Sequence, residues 1–199
     1  MEIIKTILSS PDNVRSALDI EKALPGVKSA VMKNLLCELK RLFEKNGCKV
    51  LDYDETLIDE YYTSRKHLCP GFTVEIANLT EGVTAVLYVE VYWYLYFGFA
   101  FAEINSKEKS SVFLNAKEVM KNYPQEYTEF TTAVLKTVGE GEKTDDLIYW
   151  QYILNEKGQK FDFKNFSPSC VDLTLDYGER AKRIFSMLYD YLRSVSNKI

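Results

Sequence analysis

Val83-Thr-Ala-Val-Leu-Tyr-Val-Glu-Val-Tyr-Trp-Tyr-Leu-Tyr-Phe-Gly-Phe-Ala-Phe-Ala102 decides how this chain folds. The run carries a single charge, Glu90. Its length alone would let it cross a bilayer as a helix. Its composition points elsewhere. Val, Tyr, Phe and Trp dominate, and these side chains suit a pleated, half-buried surface. A mid-span carboxylate would be costly in lipid. Leucine is scarce, and no basic cluster flanks the run. The pattern predicts two antiparallel strands, Val83–Val91 and Leu95–Ile104, turning at Tyr92-Trp93-Tyr94. Aromatic residues on both strand faces imply that one face is the core and the other is covered by helices or a partner. No membrane association is expected.

Upstream, Phe72, Val74 and Ile76 alternate with Thr73, Glu75 and Ala77, which predicts a half-buried strand. Asn78–Gly82 is the turn after it, Cys48–Tyr53 reads as an earlier strand, and Asp54–Lys66 has no firm period. Met1–Leu8 reads as a short helix, broken at Ser9-Ser-Pro-Asp-Asn13. Ser10 and Pro11 suit the cap and first position of a second helix, expected to end before Pro25-Gly26. A third, Val27–Lys45, places Met32, Leu35, Leu36, Leu39, Leu42 and Phe43 at helical spacing and stops at Asn46-Gly47.

Downstream, Asn105–Ser111 reads as a charged loop, Val112–Asn122 and Pro124–Val138 as helices, and Leu147–Ile153 as a strand. Glu156-Lys-Gly158 turns the chain into Phe161–Phe166. Val171, Leu173 and Leu175 alternate with Asp172, Thr174 and Asp176, predicting a further short strand. Tyr177–Ser196 closes the chain as an amphipathic helix. The expected fold is a single α+β domain over 1–199. It has a helical part over 1–46, a sheet-forming part over 48–176 and a closing helix over 177–196. The sheet is mixed and largely antiparallel, with the aromatic hairpin at its centre.

The 199 residues include 25 basic and 29 acidic side chains, a net charge of −4. That balance argues against a general nucleic-acid binder but leaves room for a local basic patch. Met1–Leu8 contains Glu2 and Lys5 and does not read as a signal peptide, so a cytoplasmic location is expected. The four cysteines form no CxxC pair, and His67 is the one histidine. Reduced thiols without structural zinc are expected, with Cys37 as a small core residue.

Catalytic constellations are sparse. Gly139-Glu-Gly141 is too short and too acidic to cradle a phosphate. Cys69 lies two residues from His67, but nucleophile and base normally converge through the fold. The carboxylates Asp52, Asp54, Glu55, Asp59 and Glu60 read as a solvated acidic loop. A degenerate metal-dependent nuclease would have to use Asp52, Asp54 and Glu103 with Lys107, which stands four residues from Glu103. No catalytic residue, metal or cofactor is expected. The most basic aromatic stretch is Tyr61-Tyr-Thr-Ser-Arg-Lys-His67. Within it Tyr62, Arg65, Lys66 and His67 are the candidate binding residues, for a phosphate backbone or an acidic partner. The competing reading packs the tyrosines back onto the sheet.

A family resemblance rests on Leu35-Leu-Cys-Glu-Leu-Lys-Arg-Leu-Phe-Glu44, Tyr94-Leu-Tyr-Phe-Gly-Phe99, Asp145-Asp-Leu-Ile-Tyr-Trp-Gln-Tyr-Ile153, Phe161-Asp-Phe-Lys-Asn-Phe166 and the closing helix. Together these resemble the region after the catalytic core in bacterial PD-(D/E)XK nuclease superfamily proteins. The family's cutting residues lie in an upstream Asp and Glu-x-Lys core, which has no counterpart here. The resemblance therefore implies a non-catalytic accessory module, serving recognition, self-association or support of a nuclease core. Its expected partner is a protein or a second copy, with nucleic acid possible through the basic patch. A phage or mobile-element protein that blocks a host enzyme is a further alternative.

Overall fold

The aromatic run forms the central hairpin of the sheet in the computed structural model, which describes residues 2–199. Strands β3 (Val83–Val91) and β4 (Leu95–Asn105) pair from Val91–Leu95 back to Thr84–Ala102. On the far edge of β3 lies β2 (Gly71–Thr80), and beyond it the two-residue β1 (Val50–Leu51). The free edge of β4 is divided. β6 (Leu147–Tyr152) runs beside Tyr96–Ala100, and β5 (Ser110–Phe113) beside Ala102–Asn105. Every strand pairing is antiparallel.

The helices are α1 (Glu2–Ile7), α2 (Pro11–Lys45), α3 (Glu55–Glu60), α4 (Ala116–Asn122), α5 (Pro124–Val138), α6 (Pro168–Val171) and α7 (Leu173–Ser196). All but α1 and the first half of α2, which bury no residue, help cover one face of the sheet. Leu87, Val89, Phe97, Phe99 and Phe101 face them from the hairpin. Met32, Leu35, Leu36, Leu39 and Phe43 answer from α2, Phe130 and Val134 from α5, and Ala181 and Leu188 from α7. Phe101 meets Phe130 edge-on at 5.1 Å, and Phe97 stacks on Tyr191 at 5.7 Å. Each large apolar side chain buried here stabilises the fold by about 1.5–3 kcal/mol relative to exposure.

The opposite face is also dry, for a different reason. Val86, Tyr88, Ala100 and Ala102 form a second buried cluster, packed by the strand residues Tyr96, Ile104, Phe113, Leu147 and Trp150. The sheet curls until its two ends meet. The Asp52 amide donates to the Lys109 carbonyl at 3.0 Å, and the Ser111 amide donates to Asp52 Oδ1 at 2.8 Å. Lys49 Nζ adds a bond to Ser106 Oγ at 3.2 Å. The small side chains at positions 98, 100 and 102 give the concave face room for the Tyr88 and Phe113 rings, 5.4 Å apart. Within the chain this face is thus covered by the sheet's own curvature rather than by helices.

Other expectations are corrected. α2 does not break before Pro25-Gly26 but runs through both. Proline removes one helical hydrogen bond, but Glu21, four residues earlier, is exposed, so water can satisfy the freed carbonyl. Cys37 is exposed rather than core. At roughly 100° per residue it lies more than a third of a turn from the centre of the Leu35–Leu39 stripe. The segment from Val112 is not helical at its start. Val112 pairs with Glu103 in β5, and α4 begins after Asn115, whose side chain accepts from the Lys117 amide at 3.0 Å. Asp54 likewise caps α3, in a stretch that showed no period. The alternation at 171–175 is not a strand. Pro168 opens α6, α7 starts at Leu173, and Leu175 is 88% exposed. Non-helical angles at Asp176 mark a kink, so the polar residues read as a strand face belong to a helix start. Among the described residues, no helix is long and apolar enough to cross a membrane.

Candidate binding site

The turn of the central hairpin gathers most of the exposed aromatic surface. Tyr92 is 40% exposed and Trp93 41%. The turn is braced by the segment after β6. The Phe163 amide donates to the Trp93 carbonyl at 2.9 Å, and the Leu95 amide donates to the Phe161 carbonyl at 3.1 Å. Tyr94 bridges to Asp162 in the same ladder. These bonds fix the turn on a rigid element, and aromatic side chains lose little rotamer entropy on binding.

The basic stretch lands on one flank of this turn. Arg65, Lys66 and His67 line a cleft of about 290 Å³ with Tyr62, Tyr92, Trp93 and Lys164. The four sequence candidates Tyr62, Arg65, Lys66 and His67 are therefore brought together. Their roles divide. Tyr62 is half-buried, and its hydroxyl donates to the Phe163 carbonyl at 2.8 Å. Burial pushes its phenol well above the usual tyrosine range. Tyr61 donates to the Tyr92 carbonyl in the same way, and the two rings meet edge-on at 4.9 Å. The tyrosines anchor the loop, whereas Arg65, Lys66 and His67 are exposed.

A layered column crosses the turn. The His67 ring lies 6.0 Å from Tyr92, Tyr92 stacks on Trp93 at 5.4 Å and 12°, and Lys164 Nζ sits 3.6 Å from the Trp93 ring centre. On the other side of the column is an aromatic cleft of about 370 Å³. Tyr94, Tyr96, Trp150 and Tyr152 line it together with Tyr92 and Trp93. Trp150 meets Tyr152 edge-on at 5.2 Å, and Tyr94 meets Tyr152 at 5.2 Å and 76°. Lys160 Nζ lies 3.7 Å from the Tyr152 ring centre, within cation–π range.

Reading from sequence found the loop but missed Lys160, Lys164, Trp150 and Tyr152. The available signal was the lysine pair four residues apart, flanking Phe161 and Phe163 directly after a strand rich in Tyr and Trp.

The acidic residues of the nuclease alternative are dispersed. The Asp52 carboxylate accepts from Ser111, and that of Asp54 accepts from the Thr56 amide at 2.8 Å. Glu103 lines a separate hollow with Glu75 and Lys49, and Lys107 lies in the connection between β4 and β5. Among the described residues, no three His, Cys, Asp or Glu side chains form a group suited to a metal ion.

No protein-family model, curated protein or solved structure matches this chain. The functional reading therefore rests on the site itself.

Proposed function

We propose that this chain is a non-catalytic binding module that holds single-stranded nucleic acid across the turn between β3 and β4. One observation carries the reading. An aromatic cleft and a basic cleft share Tyr92 and Trp93 as a common wall. Bases stack on aromatic faces whatever their sequence, and phosphates follow basic side chains. Bases would enter between Tyr94, Trp150 and Tyr152, while Arg65, Lys66 and Lys164 would meet the backbone. The net charge of −4 does not oppose a local contact of this kind, and binding through phosphate contacts weakens as salt rises. The test is fluorescence anisotropy with a labelled single-stranded oligonucleotide at low salt. Binding that weakens in Trp150→Ala and in Arg65→Ala/Lys66→Ala is expected. Its absence in the parent protein sinks the proposal.

The accessory role in a PD-(D/E)XK nuclease lineage would suit such a module, and its support is limited to the aromatic motifs. Incubating the purified protein with DNA or RNA and Mg²⁺ or Mn²⁺ separates it from a degenerate nuclease. No cleavage is expected. Cleavage abolished by Glu103→Ala would establish the nuclease instead.

A second reading, self-association, is favoured by the N-terminal arm. Between Pro11 and Lys28 no residue of α2 is buried, so about 27 Å of helix extends past the core. Ile3, Ile4, Leu8, Leu18, Ile20, Leu24 and Val27 are exposed there. Arg15 pairs with Asp12 and Lys22 with Asp19 within the helix. A second copy laid against this arm would cover the apolar side chains. Light scattering on the parent chain should give a dimer mass, and Ile20→Glu/Leu24→Glu a monomer. A monomeric parent chain at high concentration would refute it.

A further inference from the structure

The rings at the turn already carry cations of the chain itself. Lys160 Nζ lies 3.7 Å from the ring centre of Tyr152 and 5.0 Å from that of Tyr94. Lys164 Nζ lies 3.6 Å from the ring centre of Trp93, whose neighbour in the column is Tyr92. Neither lysine is ion-paired among the described residues. Asp162, the carboxylate between them in sequence, accepts instead from the amide and the side chain of Asn165, both at 2.9 Å. The ring faces are therefore the partners that hold the two ammonium groups.

These are faces on which a base would stack. Non-bonded atoms in contact lie about 3.5–4.0 Å apart, so each ammonium fills the layer above its ring and a base can lie there only after it leaves. The backbone beneath is fixed. The Phe163 and Lys164 amides both donate to the Trp93 carbonyl, at 2.9 Å and 3.2 Å, and Lys160 bridges to Leu154. Only the side chains have to move, and both are exposed, on flexible four-carbon stems. What an ammonium gains after leaving its ring depends on the ligand. A phosphate beside the base takes it up in a charge-assisted hydrogen bond. A neutral aromatic ligand offers nothing in exchange, and a cationic one is repelled.

We propose that Lys160 and Lys164 determine the specificity of the turn, admitting a base to these rings only when a phosphate accompanies it. The proposal rests on the nucleic-acid reading. It adds Lys160 to the residues that meet phosphate and gives Lys164 a second role. Each ammonium leaves its ring as a base enters and pairs with the adjacent phosphate. Removing the two side chains therefore acts in opposite directions on two kinds of strand. A charged strand loses two phosphate contacts and binds more weakly. An uncharged strand no longer has to displace the ammonium groups and binds more tightly. Lysines that only met phosphates would give the first effect without the second.

Fluorescence anisotropy at low salt, with a labelled oligodeoxyadenylate and with its uncharged methylphosphonate counterpart, tests this. The parent protein should bind the phosphodiester strand at least tenfold more tightly than the methylphosphonate strand. Lys160→Ala/Lys164→Ala should weaken the first several-fold and strengthen the second several-fold. The two single variants replace the double variant should it fail to fold by circular dichroism. In the parent protein, ring currents should hold the ε-methylene proton resonances of Lys160 and Lys164 upfield, and adding the phosphodiester strand should return them downfield. A parent protein that binds neither strand overturns both this proposal and the nucleic-acid reading. This proposal alone is overturned if the parent binds the phosphodiester strand but the folded lysine variants gain nothing on the methylphosphonate strand, if the parent binds both strands equally, or if the lysine resonances do not move as the strand binds.

Discussion

The phenol of Tyr88 lies across Gly98, its direct partner in the register of β3 and β4. A Cβ at position 98 would run into the Tyr88 hydroxyl and the Tyr149 carbonyl at once. This gives the Tyr-Phe-Gly step a physical meaning. The glycine is required by close approach on the concave face, not by an unusual backbone angle.

Gly98→Ala should therefore cost about 3 kcal/mol or more, because both obstacles are buried and one is backbone. Urea denaturation measures this directly. The Tyr88 ring carbon Cε1 stands almost as close as the hydroxyl, so adding Tyr88→Phe should recover little of the loss. A Gly98→Ala midpoint equal to that of the parent protein would contradict the packing described.

Glu90 should leave a signature in the pH dependence of stability. Burial raises its carboxyl above the ordinary value of 4.5. The fold thus favours the protonated form. That contribution is fully present below about pH 4.5 and is lost as the pH rises through the raised value. Asp52, Cys69, Tyr88 and Tyr96 surround the group, and burial keeps Cys69 and both tyrosines neutral through this range. Glu90→Gln should raise the melting temperature at pH 8 and change it little at pH 4. Equal shifts at the two pH values would show that the carboxyl is not strained.

Tyr62 and Arg65 should behave in opposite ways despite their proximity. Tyr62→Phe removes a half-buried hydrogen bond to the Phe163 carbonyl, which should cost about 1 kcal/mol of stability. Oligonucleotide affinity should barely change. Arg65→Ala should leave the melting temperature within about 1 °C, as expected of an exposed side chain with no ion-pair partner among the described residues, and weaken binding. The reverse pattern would move the site away from the basic loop.

The salt dependence of binding distinguishes the two clefts. For single strands the logarithm of affinity falls with the logarithm of salt by about 0.7 per phosphate contact. Arg65→Ala/Lys66→Ala should lower that slope by about 1.4 if both side chains meet phosphates. Trp150→Ala should cost about 1–3 kcal/mol of binding and leave the slope unchanged. Anisotropy titrations across a salt series read both quantities.

The central hairpin was legible from sequence because two signals agreed. Its composition favours strands, and Glu90 is incompatible with a lipid span. The long helices α5 and α7 were legible from their apolar periods. The failures have common causes. Pro25 stops a buried helix but is tolerated in an exposed one, and burial at that point is decided by the tertiary fold. The polar residues at 172–176 alternate as in a strand, yet they surround a helix start and a kink. The candidate site was half visible. The basic loop is contiguous in sequence, while Trp150, Tyr152, Lys160 and Lys164 reach the turn only through the pairing of β6 and the bracing segment. The closure between Asp52 and Ser111 joins residues 59 positions apart, which local patterning cannot show.

The divided edge of β4 has a consequence for how the molecule opens. Its backbone is engaged by β3 along one side and by β6 and β5 in succession along the other. Successive amides of β4 point to opposite neighbours, so fraying of β5 or β6 alone frees only the amides on that side and leaves those bonded to β3 protected. The β3-facing amides of the aromatic strand should thus exchange more slowly than those facing β5 and β6, and the binding rim sits at the start of that doubly paired strand.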